Sequence, residues 1–198
     1  MRRFDVVTIH DDGLKNSHYI AVQHCKLCMA FSWRLKAEIS IFIDSAMSLE
    51  SVRSFFQEHD PSISVIVTEA SSATVALAAA AHGVEPAQIA KTICLRIGER
   101  TVLVVLGGMA RLDNKKSRDV LGGKPRLLDA EDVVKATSHP VGGVCPFGLP
   151  EPLPVYCDVS LQAYDIVVPA AGATNAAVRI TPRRMAELTG AEWVDVSQ

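Results

Sequence analysis

Ile89-Ala90-Lys91-Thr92-Ile93-Cys94-Leu95-Arg96-Ile97, then Gly98-Glu99-Arg100, then Thr101-Val102-Leu103-Val104-Val105-Leu106 is the stretch that decides the fold. Two runs of β-branched and aliphatic side chains joined through a glycine-containing turn predict an antiparallel hairpin, with strands over Lys91 to Ile97 and Thr101 to Leu106. Helical and extended patterns alternate on both sides of it. Upstream, Ile63 to Thr68 reads as a strand, and Ser71 or Ser72 then caps an alanine-rich helix that runs to about His82 and stops at Gly83. Downstream, Asp113 and Asp129 are caps for two short helices. Strands follow near Pro154 to Tyr156, Ile166 to Pro169 and Ala177 to Ile180; Thr181-Pro182 opens a last helix that Gly190 ends, and Trp193 to Val196 forms a final strand. Asp158 caps the short segment that begins at Val159. Hairpin and crossover connections together imply an α/β domain with a mixed β-sheet and packed helices.

The domain so defined covers residues 47–198. Met47 is a candidate start, and Ser48 caps a helix that buries Leu49, Val52, Phe55 and Phe56. Residues 1–46 form an N-terminal extension that shares none of this patterning. It carries His24-Cys25-Lys26-Leu27-Cys28, which invites a zinc or redox reading. The other nearby histidines, His10 and His18, have irregular spacing, and zinc needs a second ligand pair, so no metal is expected. Charged residues interrupt every apolar stretch, which argues against a secretory signal and a membrane span.

With 198 residues and 48% hydrophobic content, the chain is long and apolar enough to bury a substantial core. Five cysteines, an odd number without regular spacing, point to a reducing compartment, hence the cytoplasm. A net charge of −2 excludes a generally basic nucleic-acid binder. Even so, Arg111, Lys115, Lys116, Arg118, Lys124 and Arg126 against Asp113 and Asp119 leave a local cationic excess that can meet phosphates; a solvated helix face is the alternative.

Lys91 is the side chain that a packed hairpin does not explain, because ammonium groups are rare on mostly buried surfaces unless paired or used. Some fifty positions on lies Val141-Gly142-Gly143-Val144-Cys145-Pro146-Phe147-Gly148, a glycine-bracketed loop whose main-chain amides can receive a carbonyl or an oxyanion. With Ser72-Ala73-Thr74-Val75-Ala76 and Pro169-Ala170-Ala171-Gly172-Ala173 these blocks stand in a specific order. In that order the segment from about Ser48 to Val196 resembles the YbaK and ProX group of free-standing aminoacyl-tRNA deacylases, relatives of the editing insertion domain of bacterial prolyl-tRNA synthetase.

That resemblance implies hydrolysis, without a cofactor, of the ester of a mischarged tRNA. A small amino acid such as Ala, Cys or Ser on tRNA(Pro) is the expected cargo, with a synthetase as a possible partner. It gives Lys91 the catalytic role of orienting the substrate, and assigns Gly142 and Gly143 amides to the aminoacyl carbonyl. Thr74, Cys145, Pro146, Phe147, Gly148, Gly172 and Asn175 are further candidate substrate contacts. Cys-specific relatives usually carry basic residues after the glycine of Ala171-Gly172-Ala173-Thr174-Asn175, and this chain has none there. Two rivals stand beside this reading: a non-catalytic module that binds tRNA ends or nucleotides, and a hydrolase with Cys145 as nucleophile and His139 as base.

Overall fold

The computed structural model describes residues 47–198, and the expectations placed on the first 46 residues lie outside that range. The hairpin forms as its pattern requires. Strand β2 (Ile89–Ile97) pairs antiparallel with β3 (Arg100–Gly107) along its whole length, from Ala90 opposite Gly107 to Ile97 opposite Arg100. Alternation then separates two apolar faces. Ala90 and Cys94, with Leu103 and Val105, join Val52, Phe56, Val133, Phe147 and Met185 in one core; Leu95 and Ile97, with Val102, Val104 and Leu106, join Leu121, Val194 and Val196 in the other.

Helix α1 (residues 47–59) lays Val52 and Phe56 into the first core. Strand β1 (Ile66–Val67) is followed by helix α2 (Val75–His82), then by a 3-10 turn at Pro86–Gln88 that leads into β2. After β3 come helix α3 (Asn114–Leu121), strand β4 (Pro125–Leu127), helix α4 (Ala130–Thr137) and strand β5 (Val155–Asp158). Strands β6 (Val168–Pro169) and β7 (Ala176–Ala177), helix α5 (Pro182–Thr189) and strand β8 (Glu192–Val194) complete the chain. The main sheet runs β4-β2-β3-β5-β8; β4 is antiparallel to β2, and β3, β5 and β8 are mutually parallel. The short β6 pairs with β2 in parallel at Ile89 and Ala90, and β1 pairs with β7 apart from that sheet.

The mixed sheet is as expected, as are the caps at Asp113, Asp129, Asp158 and Thr181, each accepting from main-chain amides of the first turn. Three local expectations are corrected. Helix α2 is capped by Thr74, whose hydroxyl accepts from the Leu77 amide; Ser71, Ser72 and Thr74 offered three hydroxyl-bearing starts in close succession. Ser48 does not cap α1; it lies within the helix and turns its hydroxyl inward to the Gly172 carbonyl, 2.7 Å away. The strand expected over Ile63 to Thr68 pairs only at Ile66 and Val67, since the two-residue β7 offers no more partner than that.

Candidate functional site

The two short strands on the outer side of β2 leave a slot. β6 occupies its first two residues and β4 its last three, so Lys91 to Cys94 have no strand beside them. A cavity of about 420 Å³ opens there. Lys91, Thr92, Ile93 and Cys94 form one wall, Thr74 and Val75 at the start of α2 another, and Val141, Gly142 and Val144 the third. Leu127, three-quarters exposed, and Val141 stand at its mouth. The lining is mostly apolar, and Lys91 is its one charged residue among the described residues.

Two of the three ammonium hydrogens of Lys91 are engaged: Nζ donates to the main-chain carbonyls of Gly108, at 3.0 Å, and Ala110. Both lie in the turn that follows β3, so the strand pairing that carries Lys91 also places its acceptors. Burial, and then the nearby Arg111 guanidinium, push the lysine pKa below its usual value. No carboxylate neutralises it within 4 Å among the described residues, so the ion-pair alternative is not what the structure contains.

The glycine loop divides its residues between cavity and core. Gly142 lines the cavity with φ of 90°, a left-handed value that favours glycine, and a Cβ there would lie 2.8 Å from the Ala73 Cβ. Gly143 is behind it. Its amide donates to the Pro140 carbonyl at 2.8 Å and its own carbonyl accepts from the Gly172 amide at 3.0 Å, so the expectation of a free amide at Gly143 is corrected. A Cβ on Gly143 would come within 2.9 Å of three backbone atoms of Ala173, which is why this close approach needs glycine. Phe147 packs on Phe55 and Phe56, with ring centroids 5.7 and 4.7 Å apart, as a core residue. Cys145 and Pro146 are buried beside it, and Gly148 packs on the α1 backbone. Gly172 sits against Ser48, and the Asn175 amide group donates to the Thr68 carbonyl at 2.9 Å, holding β1 to β7. Of the residues expected to touch substrate, the cavity therefore receives Thr74, Lys91 and Gly142, while the others pack in the core or tie neighbouring segments together.

His139 and Cys145 do meet, with Nε2 and Sγ 3.5 Å apart, yet they form no nucleophile and base. Nε2 lies 2.9 Å from the Phe147 carbonyl, which can only accept, so the neutral ring carries its proton on that nitrogen and cannot receive one from the thiol. Nδ1 pairs with the Ser48 hydroxyl at 2.5 Å. All three residues are sealed from solvent, and burial pushes the Cys145 thiol up to about 12, the reverse of what a reactive thiolate needs. Among the described residues no three His, Cys, Asp or Glu side chains gather as a metal-binding set, and no described helix is long and apolar enough to cross a membrane.

Thr92 is the residue the sequence did not single out. It lines the cavity, and its buried hydroxyl oxygen has no hydrogen-bond partner among the described residues. No sequence signal marks it, because the lack of a partner arises from the slot between β4 and β6.

A mixed α/β domain with a single ammonium in a mostly apolar cavity of this size has the geometry of a small-ligand site. A family model described as the aminoacyl-tRNA editing domain matches residues 69–188. The uncharacterized protein YwhH of Bacillus subtilis (strain 168) is 43% identical over 152 residues, which make up 76% of this chain and 97% of that protein. Among solved structures, a candidate trans-editing enzyme for prolyl tRNA synthetase aligns with a TM-score of 0.72 and 33% identity over 76% of this chain and 97% of its own. A crystal structure of a hypothetical protein gives 0.70 and 32% over 75% of this chain and 99% of its own. The chain belongs to the aminoacyl-tRNA editing domain family.

Proposed function

We propose that the protein is a cytoplasmic trans-editing deacylase that hydrolyses the ester of a mischarged tRNA, with a small amino acid such as Ala, Cys or Ser on tRNA(Pro) as cargo. The observation that carries this reading is one tethered ammonium beside the Gly142 loop in a mostly apolar cavity of about 420 Å³. An aminoacyl ester is already activated, so the site must hold the carbonyl, admit water and stabilise the charge that develops. Water adds to the ester carbonyl carbon and gives up a proton, the carbon–oxygen bond to the ribose breaks, and the departing ribose oxygen takes a proton. Free amino acid and tRNA are the products.

Lys91 has one hydrogen left after serving Gly108 and Ala110, and that hydrogen is available to the carbonyl, ribose or phosphate of the acceptor end. The Gly142 amide, which donates to no acceptor among the described residues, is the second donor. In this reading selection among amino acids is by size, because near-isosteres are separated by only about 1–3 kcal/mol per methylene. The cationic side chains of residues 111–126 are available for tRNA phosphates, except that Lys116 is held by Asp195 at 2.7 Å.

The test is a deacylation screen of the purified full chain against a panel of mischarged tRNAs, with and without EDTA. Turnover of small aminoacyl esters, unaffected by the chelator, is the expected result. Tight binding of charged tRNA with no turnover of any member would favour the non-catalytic module instead.

A further inference from the structure

We infer that the unpaired outer edge of β2 at Thr92 grips the aminoacyl group itself. The Thr92 carbonyl accepts from the substrate α-ammonium, the Thr92 amide donates to the ester carbonyl, and the Thr92 hydroxyl supports the same contact. This rests on the deacylase reading and names the part of the substrate that the cavity reads.

Strand geometry supplies the first argument. Successive residues of a strand send their main-chain N–H and C=O to opposite sides. The Cys94 carbonyl accepts from the Leu128 amide at 3.4 Å, which fixes Cys94 as pointing outward, toward β4. Thr92, two residues earlier, then points outward as well, and at Thr92 neither β4 nor β6 is present to meet it. The slot thus offers one donor and one acceptor at the spacing a neighbouring strand would use. An aminoacyl group carries the complementary pair, an ammonium and a carbonyl on adjacent carbons.

Charge supplies the second. An α-ammonium entering this cavity finds no carboxylate among its lining residues, and Lys91 repels it. Neutral oxygen acceptors are what remain, and the Thr92 carbonyl, with no strand opposite it, is one of them. The ammonium is thereby directed away from Lys91, which leaves the lysine to the carbonyl and ribose end. The third argument is the Thr92 hydroxyl: a buried hydroxyl without a partner is disfavoured in the empty protein, and a ligand that supplies the partner removes that penalty.

The experiment measures binding, so that it does not depend on turnover. Two non-hydrolysable analogues are titrated calorimetrically: 3′-alanylamido-3′-deoxyadenosine and its lactyl counterpart, which has a hydroxyl in place of the ammonium. The wild-type protein is expected to prefer the alanyl analogue by about tenfold or more, and Thr92→Val to lower that affinity about three- to tenfold, the scale of one hydrogen bond. Because the valine removes an unpartnered polar atom and keeps the shape, the variant should melt no lower than the wild type. Equal affinity for the two analogues, no binding of either, or an indifferent Thr92→Val overturns the inference. A silent tRNA screen, by contrast, overturns the deacylase reading alone.

Discussion

Two polar clusters lie a few residues apart, and the more conventional of them is the inert one. Ser48, His139 and Cys145 bring a hydroxyl, an imidazole and a thiol within hydrogen-bond reach, the residue types from which nucleophilic hydrolases are built. They are sealed, their protons already committed, and they tie α1, the end of α4, the glycine loop and the Gly172 turn together. The cavity sets no imidazole or carboxylate base beside its hydroxyls or its Cys94 thiol among the lining residues; it offers an ammonium, a loop amide and an unpaired strand edge, and it is open. Access and unsatisfied valence, more than residue type, separate a site from a structural knot.

Lys91→Ala should strike the open region hardest. Losing one charge-stabilising donor in a water-poor site lowers kcat by about 100- to 1000-fold, read in single-turnover deacylation of the preferred tRNA. Circular dichroism should show the fold retained. A variant with undiminished turnover would remove Lys91 from the chemistry and leave the open cavity as inert as the sealed cluster.

The loop that separates the clusters is probed by Gly143→Ala. The added methyl meets Ala173 backbone rather than a yielding side chain, so overpacking of about 1–3 kcal/mol is expected in urea unfolding. Gly142 shifts with it, so turnover falls too. A stable variant would mean that the loop is not clamped from behind.

pH separates two consequences of burying Lys91. Its folded pKa lies below the 10.5 of the free side chain. Between those values the unfolded chain binds the extra proton, so stability rises with pH across that window. Deacylation needs the ammonium and falls across the same window once base hydrolysis of the ester is subtracted. Opposite slopes in the urea midpoint and in kcat/KM are the expected pair; parallel slopes would assign the activity loss to unfolding.

Legibility in the sequence follows the same line between what is local and what is tertiary. The β2–β3 hairpin, four helix caps and the stop at Gly83 rest on patterns within a few residues, and they could be read directly. β4 could not, since three edge residues beginning with a proline carry no periodicity. In the site, Lys91 stood out because a cation interrupts an apolar strand, and Gly142 because of its loop. That Gly143 is clamped by Gly172 and Ala173, and that Thr92 lacks a neighbour, depend on segments far away in the chain, on Pro169 and Leu127 as much as on the residues themselves.

The smallest expected effect is the sharpest test of the comparison. Cys145→Ala deletes one buried sulfur from a well-packed core, a change of about 1 kcal/mol on the scale of a lost heavy atom. The His139 ring keeps its bonds to Ser48 and Phe147 without it. Turnover per folded molecule should therefore stay within about twofold, since kcat responds only to groups that act in the transition state. In the native wild-type protein a thiol alkylator should leave Cys145 unlabelled, because a thiol held near 12 and shut off from solvent offers almost no thiolate. Loss of activity in the alanine variant together with selective labelling would invert the two clusters, making the sealed one the reactive centre and the open cavity its antechamber.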